Sequence, residues 1–371
     1  MIFLLPVVVS ENGEFMSMRR LTRKEVVIFS IAICLLVLGT TGFFALHGST
    51  LPHMPGANVQ AQIAYWKSRI AQVGGKAAYQ EFATSVADLS PNDQHTHAHE
   101  FGAALYKEAG LSGISVCDER FSQGCFHEFI GEAVIAHGFG IVHTLSEECA
   151  SAIAPDSYFC QHGIGHGILA LSGYDEASLK KALAQCPLLV TDDPLNGCYT
   201  GIFMEYYERD VLNGEDSPRP VGENDWFAPC NDLSGISQYL CFYSLPRWWH
   251  QLFVHQHETE EDALKQMSAL CTKLQDKVFL DICFSGIGHV VPPSAGYDAS
   301  RSIMFCNEAS ASPRYRLLCR AEAANDFLDE GNPANARSVC EGLTGASLAY
   351  CGAYSSITSE KSIQIPFPHL P

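Results

Sequence analysis

Positive charge is scarce in this sequence. In 371 residues, 23 lysines and arginines stand against 41 aspartates and glutamates, for a formal net charge of −18. The few cations are scattered rather than striped, which argues against nucleic acid as a partner, since a polyanion needs a clustered basic face. Charged residues of either sign make up only 17% of the chain against 47% hydrophobic, so a disordered solvated tail is excluded and a large interior is expected. Alternating strand patterns are nearly absent. So are the compact catalytic signatures: no G-x-S-x-G elbow, P-loop, dinucleotide glycine pattern, haem-attachment C-x-x-C-H or EF-hand loop occurs.

Unpaired cysteine is also nearly missing. Fourteen of fifteen cysteines fall into ordered neighbours: Cys117 and Cys125, Cys149 and Cys160, Cys186 and Cys198, Cys230 and Cys241, Cys271 and Cys283, Cys306 and Cys319, Cys340 and Cys351. Only Cys34 is left over. Separations within a pair run from 8 to 13 residues, and the second cysteines recur every 32 to 43. That is the period of an array with one helical hairpin per unit. One local bridge per unit is the scheme every unit can satisfy identically, so neighbours are expected to pair. Each closure contributes about 2–3 kcal/mol through the unfolded state. Cysteines at this density imply an oxidising compartment.

The N-terminus supplies a route there. Val26 to Leu46 is a 21-residue apolar run without charge, preceded by Arg19, Arg20, Arg23 and Lys24. By length and flanking charge, residues 25–46 read as a transmembrane signal anchor, with 1–24 cytoplasmic (the first fifteen a start-site artefact if translation begins at Met16 or Met18), a linker over 47–58, a periplasmic or extracellular helical repeat domain over 59–357, and a tail over 358–371. The roughly 320 residues beyond the anchor exceed one ordinary core, and no Pro/Gly/Ser linker divides them, which a repeat array explains.

Along that domain, helical spacing predicts helices over Ala61 to Val73 and Lys76 to Leu89, and Ser90-Pro91 opens a third that Gly110 stops. The repeating grammar then follows: a helix ending near the first cysteine, a turn-rich stretch, and a second helix opening near the second cysteine. The fold class is therefore all-α, a disulfide-stapled array of α/α hairpins stacked as a solenoid. Gly124-Cys125-Phe126 and Gly197-Cys198-Tyr199, with Gly201 three positions after its cysteine, resemble the secreted cysteine-rich Sel1-like repeats related to tetratricopeptide repeats. The resemblance implies architecture only and carries no functional residue.

Aligning units on the second cysteine exposes a stripe. Two and six positions later stand His127 and Gly131, His162 and His166, Thr200 and Met204, Ser285 and His289; upstream, His95 and His99 share the i, i+4 spacing. Such a pair shares one helix face and can grip a metal ion with a third ligand from a neighbouring helix. The candidate centre is His162 and His166 with one of His127, Glu132, His95, His99 or Glu205, and imidazole with carboxylate suits zinc, iron or copper. His162-Gly-Ile-Gly-His166 lacks the glutamate of a zincin helix, which disfavours that protease chemistry. Against the metal reading stands an ordinary one, histidines hydrogen-bonded within the packing.

Two further features point to partners. In Arg247-Trp248-Trp249-His250, adjacent tryptophans on one helix are expected to leave Trp248 or Trp249 partly exposed as a protein- or peptide-binding surface. The preceding irregular stretch, Val211 to Phe227, is expected to decorate a binding face. Gly163, Gly201 and Gly286, three after their cysteines, are expected to let helices approach closely. The leading expectation is thus a membrane-tethered binding scaffold, and the alternative a metal-dependent enzyme or metal handler.

Overall fold

The computed structural model describes residues 58–118, 120–152, 158–190, 197–208, 218–222, 225–256 and 259–356. The expected anchor and tail lie outside them, as do Cys34 and parts of the Val211 to Phe227 stretch. Among the described residues every regular element is helical, and no single helix is long and apolar enough to cross a membrane. In chain order the helices are α1 (Val59–Val73), α2 (Gly75–Ser85), α3 (Pro91–Ala109), α4 (Gly124–His137), α5 (Val142–Ala152), α6 (Tyr158–Ser172), α7 (Glu176–Leu183), α8 (Cys198–Glu208), α9 (Gly235–His255), α10 (Glu260–Cys271), α11 (Lys277–Ser294), α12 (Ala299–Ala309), α13 (Pro313–Asp329), α14 (Pro333–Cys340) and α15 (Gly345–Ser356).

Local chemistry sets many of these starts. The side chains of Asn58, Ser90, Asp175, Thr259, Asp276, Asp298 and Asn332 each accept from a backbone N–H of the first turn, worth about 0.5–2 kcal/mol apiece.

Every expected bridge is present as a disulfide. Cys117 is bonded to Cys125, Cys149 to Cys160, Cys186 to Cys198, Cys230 to Cys241, Cys271 to Cys283, Cys306 to Cys319 and Cys340 to Cys351, with Cα–Cα distances of 5.4–5.8 Å. The second partner stands at or near the start of its helix in the first three units, where Cys125 opens α4, Cys160 α6 and Cys198 α8, while Cys241, Cys283, Cys319 and Cys351 lie about two turns into α9, α11, α13 and α15. Each bridge therefore ties the outer segment of a hairpin to its inner helix.

The helices that carry the second cysteines pack against one another in sequence, α4 on α6, α6 on α8, α8 on α9, α9 on α11 and α11 on α13, while α5, α7, α10 and α12 back them from outside. Glycine makes this contact close. A Cβ on Gly201 would lie 2.1 Å from the carbonyl oxygen of His162, and one on Gly286 would lie 2.1 Å from that of Tyr243. Nothing larger fits, which is the structural role expected for both.

The row is not the open solenoid expected from its repeats. Helices α3, α4, α6, α8, α9, α11 and α13 all contribute to the wall of one cavity of about 500 Å³. Ser122, just before α4, donates to Glu330, just after α13, across a separation of 208 residues. Each unit adds a rotation, and here the rotations accumulate until the inner row meets itself. The concave face is consequently an interior wall.

The expected exposure of a tryptophan also needs correction. Trp248 and Trp249 are 2% and 0% exposed. Trp248 stacks on Tyr207 at 4.7 Å and its indole N–H donates to the Arg219 carbonyl, while the Trp249 N–H donates to the Trp226 carbonyl. The described part of the irregular stretch folds back over α9, so both faces of that helix are covered and neither ring presents a partner surface.

Candidate metal centre

Five histidines from three consecutive inner helices meet on one side of the cavity. His95 and His99 stand one turn apart on α3, His127 on α4, and His162 and His166 one turn apart on α6. Ring centroids lie 4.6 Å apart for His95 and His99, 5.6 and 5.5 Å from each of these to His127, and 4.7 Å from His127 to His162. The helix spacing and the register at the cysteines account for the whole cluster: residues two and six after Cys125 and Cys160 face inward, and α3 supplies its own i, i+4 pair.

Within the cluster, His95, His99 and His127 can hold a metal ion. Their ligating nitrogens lie within 4.8 Å of one another. The hydrogen bonds around them explain why. His95 Nδ1 lies 2.8 Å from the carbonyl oxygen of Phe121, which can only accept, so Nδ1 carries the proton and Nε2 the lone pair. His99 Nδ1 faces the Glu128 carboxylate at 3.4 Å, which sets the same tautomer. The two Nε2 atoms then confront each other at 3.0 Å. Two imidazole lone pairs repel at that distance unless a proton or a cation lies between them.

A proton is the poorer candidate. Burial, the largest influence, holds His95 down to about 4 even though the Phe121 carbonyl works the other way. His99 and His127 are held well below the ordinary histidine value, first by burial and then by neighbouring imidazoles. His127 is 7% exposed and neither of its ring nitrogens has a hydrogen-bond partner. Carbonyl or carboxylate behind the far nitrogen is the usual support for a metal-bound histidine. Three imidazoles with room beside them match sites that keep one coordination position open.

The other expected ligands are placed differently. His166 is fully buried, its Nδ1 3.0 Å from Glu205 Oε2, and Glu205 also accepts from the Tyr174 hydroxyl at 2.5 Å. His162 Nδ1 lies 3.3 Å from Thr200 Oγ1. These two histidines adjoin the three-imidazole group through His127 without converging on the same point. Glu132 is engaged by Lys107. The acid that supports the cluster is Glu128, one turn earlier, whose place beside His127 is visible in the sequence but whose direction is not.

The far wall has its own chemistry. His289 Nδ1 lies 3.1 Å from Asp326 Oδ1, and the Arg247 guanidinium reaches His289 Nε2 at 3.4 Å while pairing with Glu208. Glu330 accepts from Ser122 and from the Tyr297 hydroxyl. His289 is marked in the sequence by its position after Cys283. Asp326 and Glu330 carry no such signal, because they reach the cavity only when the row closes.

Fold and site together define a class: a disulfide-stapled all-helical ring around a cavity with a histidine cluster on one wall. No protein-family model, curated protein or solved structure matches the chain.

Proposed function

We propose that this protein binds a divalent transition metal through His95, His99 and His127 and uses the adjoining cavity to hold a small molecule beside it, as a metal-dependent enzyme. The supporting observation is the 3.0 Å approach of two Nε2 atoms whose partner nitrogens are both committed to acceptors. Zinc, iron or copper suits three imidazoles. Bound there, such an ion would supply Lewis acidity or an activated water. The protein's own contributions are distinct from this. Phe121 and Glu128 fix the histidine tautomers, the apolar wall that includes Phe203, Tyr207 and Trp248 limits water, and the His289–Asp326 pair can accept a proton. Retention outside the cytoplasm by the N-terminal apolar run accords with the seven disulfides.

Metal analysis of the full chain, purified without an affinity tag, tests the reading. About one equivalent of zinc, iron or copper is expected per chain, falling at least about tenfold in His95→Ala or His127→Ala. Content below about a tenth of an equivalent that stays there after incubation with each ion, in protein with all disulfides intact, would sink it. The binding scaffold, the leading expectation from the sequence, is left without the tryptophan surface that recommended it.

A further inference from the structure

The wall where the two ends of the inner row meet adjoins the histidines, and its chemistry is that of a receptor for positive charge. Five carboxylates line the cavity, Glu208, Glu260, Asp326, Asp329 and Glu330, against one guanidinium, Arg247. Asp326 is 9% exposed; its Oδ1 faces His289, and its Oδ2 is buried without a hydrogen-bond partner. Gln123, across the seam, is 2% exposed, and its Oε1 is likewise unpartnered. Both orphaned atoms are acceptors. A buried acceptor left unmade costs about 1–3 kcal/mol, so two on one cavity wall point to a ligand that donates.

Backbone strain gathers at the same place. Among the described residues, the non-glycine positions with left-handed φ are Phe121, Ser122, Gln123 and Tyr297, at 59°, 47°, 57° and 56°. Ser122 and Tyr297 both hold Glu330, and Gln123 carries one of the orphaned oxygens. Conformations of that kind cost about 1–3 kcal/mol each and persist where function over-determines them. Glu330 is pushed up to about 6, first by burial and then by Asp326 beside it. A bound cation would relieve that repulsion.

We infer that this seam is a recognition site for a small organic ammonium ion, its N–H groups shared among Asp326, Glu330 and Gln123 and its carbon body against Tyr297, Val290 and Pro293. A metal ion is the poorer occupant. Among the described residues, the histidine, cysteine and acid groups that converge closely enough to hold one are His95, His99 and His127. Tyrosine and aliphatic surface beside the acids suits an alkylammonium, which gains from aromatic faces as well as from carboxylates. The inference goes beyond the metal reading and does not depend on it, though together they describe an amine-bearing substrate held beside a metal.

Calorimetric titration of n-butylamine, 1-butanol and zinc ions, each alone, into the chelator-treated full chain tests both readings separately. Butylamine is expected to bind one site with a Kd on the order of 1 mM or tighter, and 1-butanol not to saturate. Asp326→Asn and Glu330→Gln should each weaken butylamine at least about tenfold. Gln123→Ala should weaken it less, and serves if Asp326→Asn fails to fold. His99→Ala, outside the cavity lining and the Phe121–Gln123 turn, should abolish zinc binding and leave butylamine unchanged. Absence of saturable amine binding, equal binding of the alcohol, or wild-type amine affinity in folded seam variants overturns the inference. Amine binding without zinc binding overturns the metal reading alone.

Discussion

Glu330 shows how one carboxyl can make stability depend on pH. Its pKa is raised from 4.5 to about 6, by burial and then by Asp326, with Ser122 and Tyr297 partly opposing the shift. A group whose folded pKa lies above its unfolded one contributes stability that is fully present below the unfolded value and is lost as pH rises through the folded value. The window is therefore 4.5 to about 6, and the loss is on the order of 1–2 kcal/mol. Glu330→Gln keeps an oxygen to accept from Ser122 and Tyr297 but cannot ionise. In urea denaturation the variant should exceed wild type by about 1 kcal/mol at pH 7 and converge with it near pH 4.5. A constant difference across that range would assign the perturbation elsewhere. At this same scale, the His95 and His99 pair is legible in the sequence because i, i+4 spacing is a local fact. Which ring nitrogen faces inward is not, since the carbonyl of Phe121 and the carboxylate of Glu128 decide it. That is why His162 and His166, equally well spaced, read as the better pair.

Among the elements, the turn from Phe121 to Gln123 carries the most consequence for its length. One residue gives its carbonyl to His95, the next its hydroxyl to Glu330, and the third its side chain to the cavity. Three successive left-handed L-residues cost roughly 1–2 kcal/mol apiece. The contacts at both ends hold them there. Ser122→Ala removes the seam bond without relieving the strain, so a loss of about 1–2 kcal/mol is expected by thermal or chemical denaturation. Hydrogen exchange should accelerate first at the start of α4 and the end of α13; uniform acceleration would mean the bond is not a local latch. Nothing in Arg120-Phe121-Ser122-Gln123 announces this conformation, because none of these residues is a glycine or an asparagine. The tryptophans of α9 mislead for a related reason. Helix periodicity allows one buried face to one helix, and the residues that cover the other face, Arg219 and Trp226 among them, lie in a stretch with no period to read.

For the whole molecule, local order is legible and closure is not. Cysteine spacing sets the hairpins, their bridges and the inward stripe, since each depends on residues a few turns apart. Whether successive hairpins run on or come full circle depends on a small rotation repeated many times, which no motif encodes. The distinction is measurable. An open array unfolds as a sum of neighbouring units, with fraying ends; a ring in which the residues flanking α4 and α13 share a hydrogen bond and a cavity wall should unfold as one. With disulfides intact, calorimetric and van't Hoff enthalpies should agree within about 10–15%, and separate transitions would indicate an array that is not closed.

The join between Ser122 and Glu330 has a consequence for how the chain is made. The three metal-ligand candidates lie between residues 95 and 127, yet the wall that closes their chamber is synthesised some two hundred residues later. The order of the chain thus places the histidines ahead of their enclosure, and a premature stop anywhere before α13 would leave an open histidine crescent in place of a pocket.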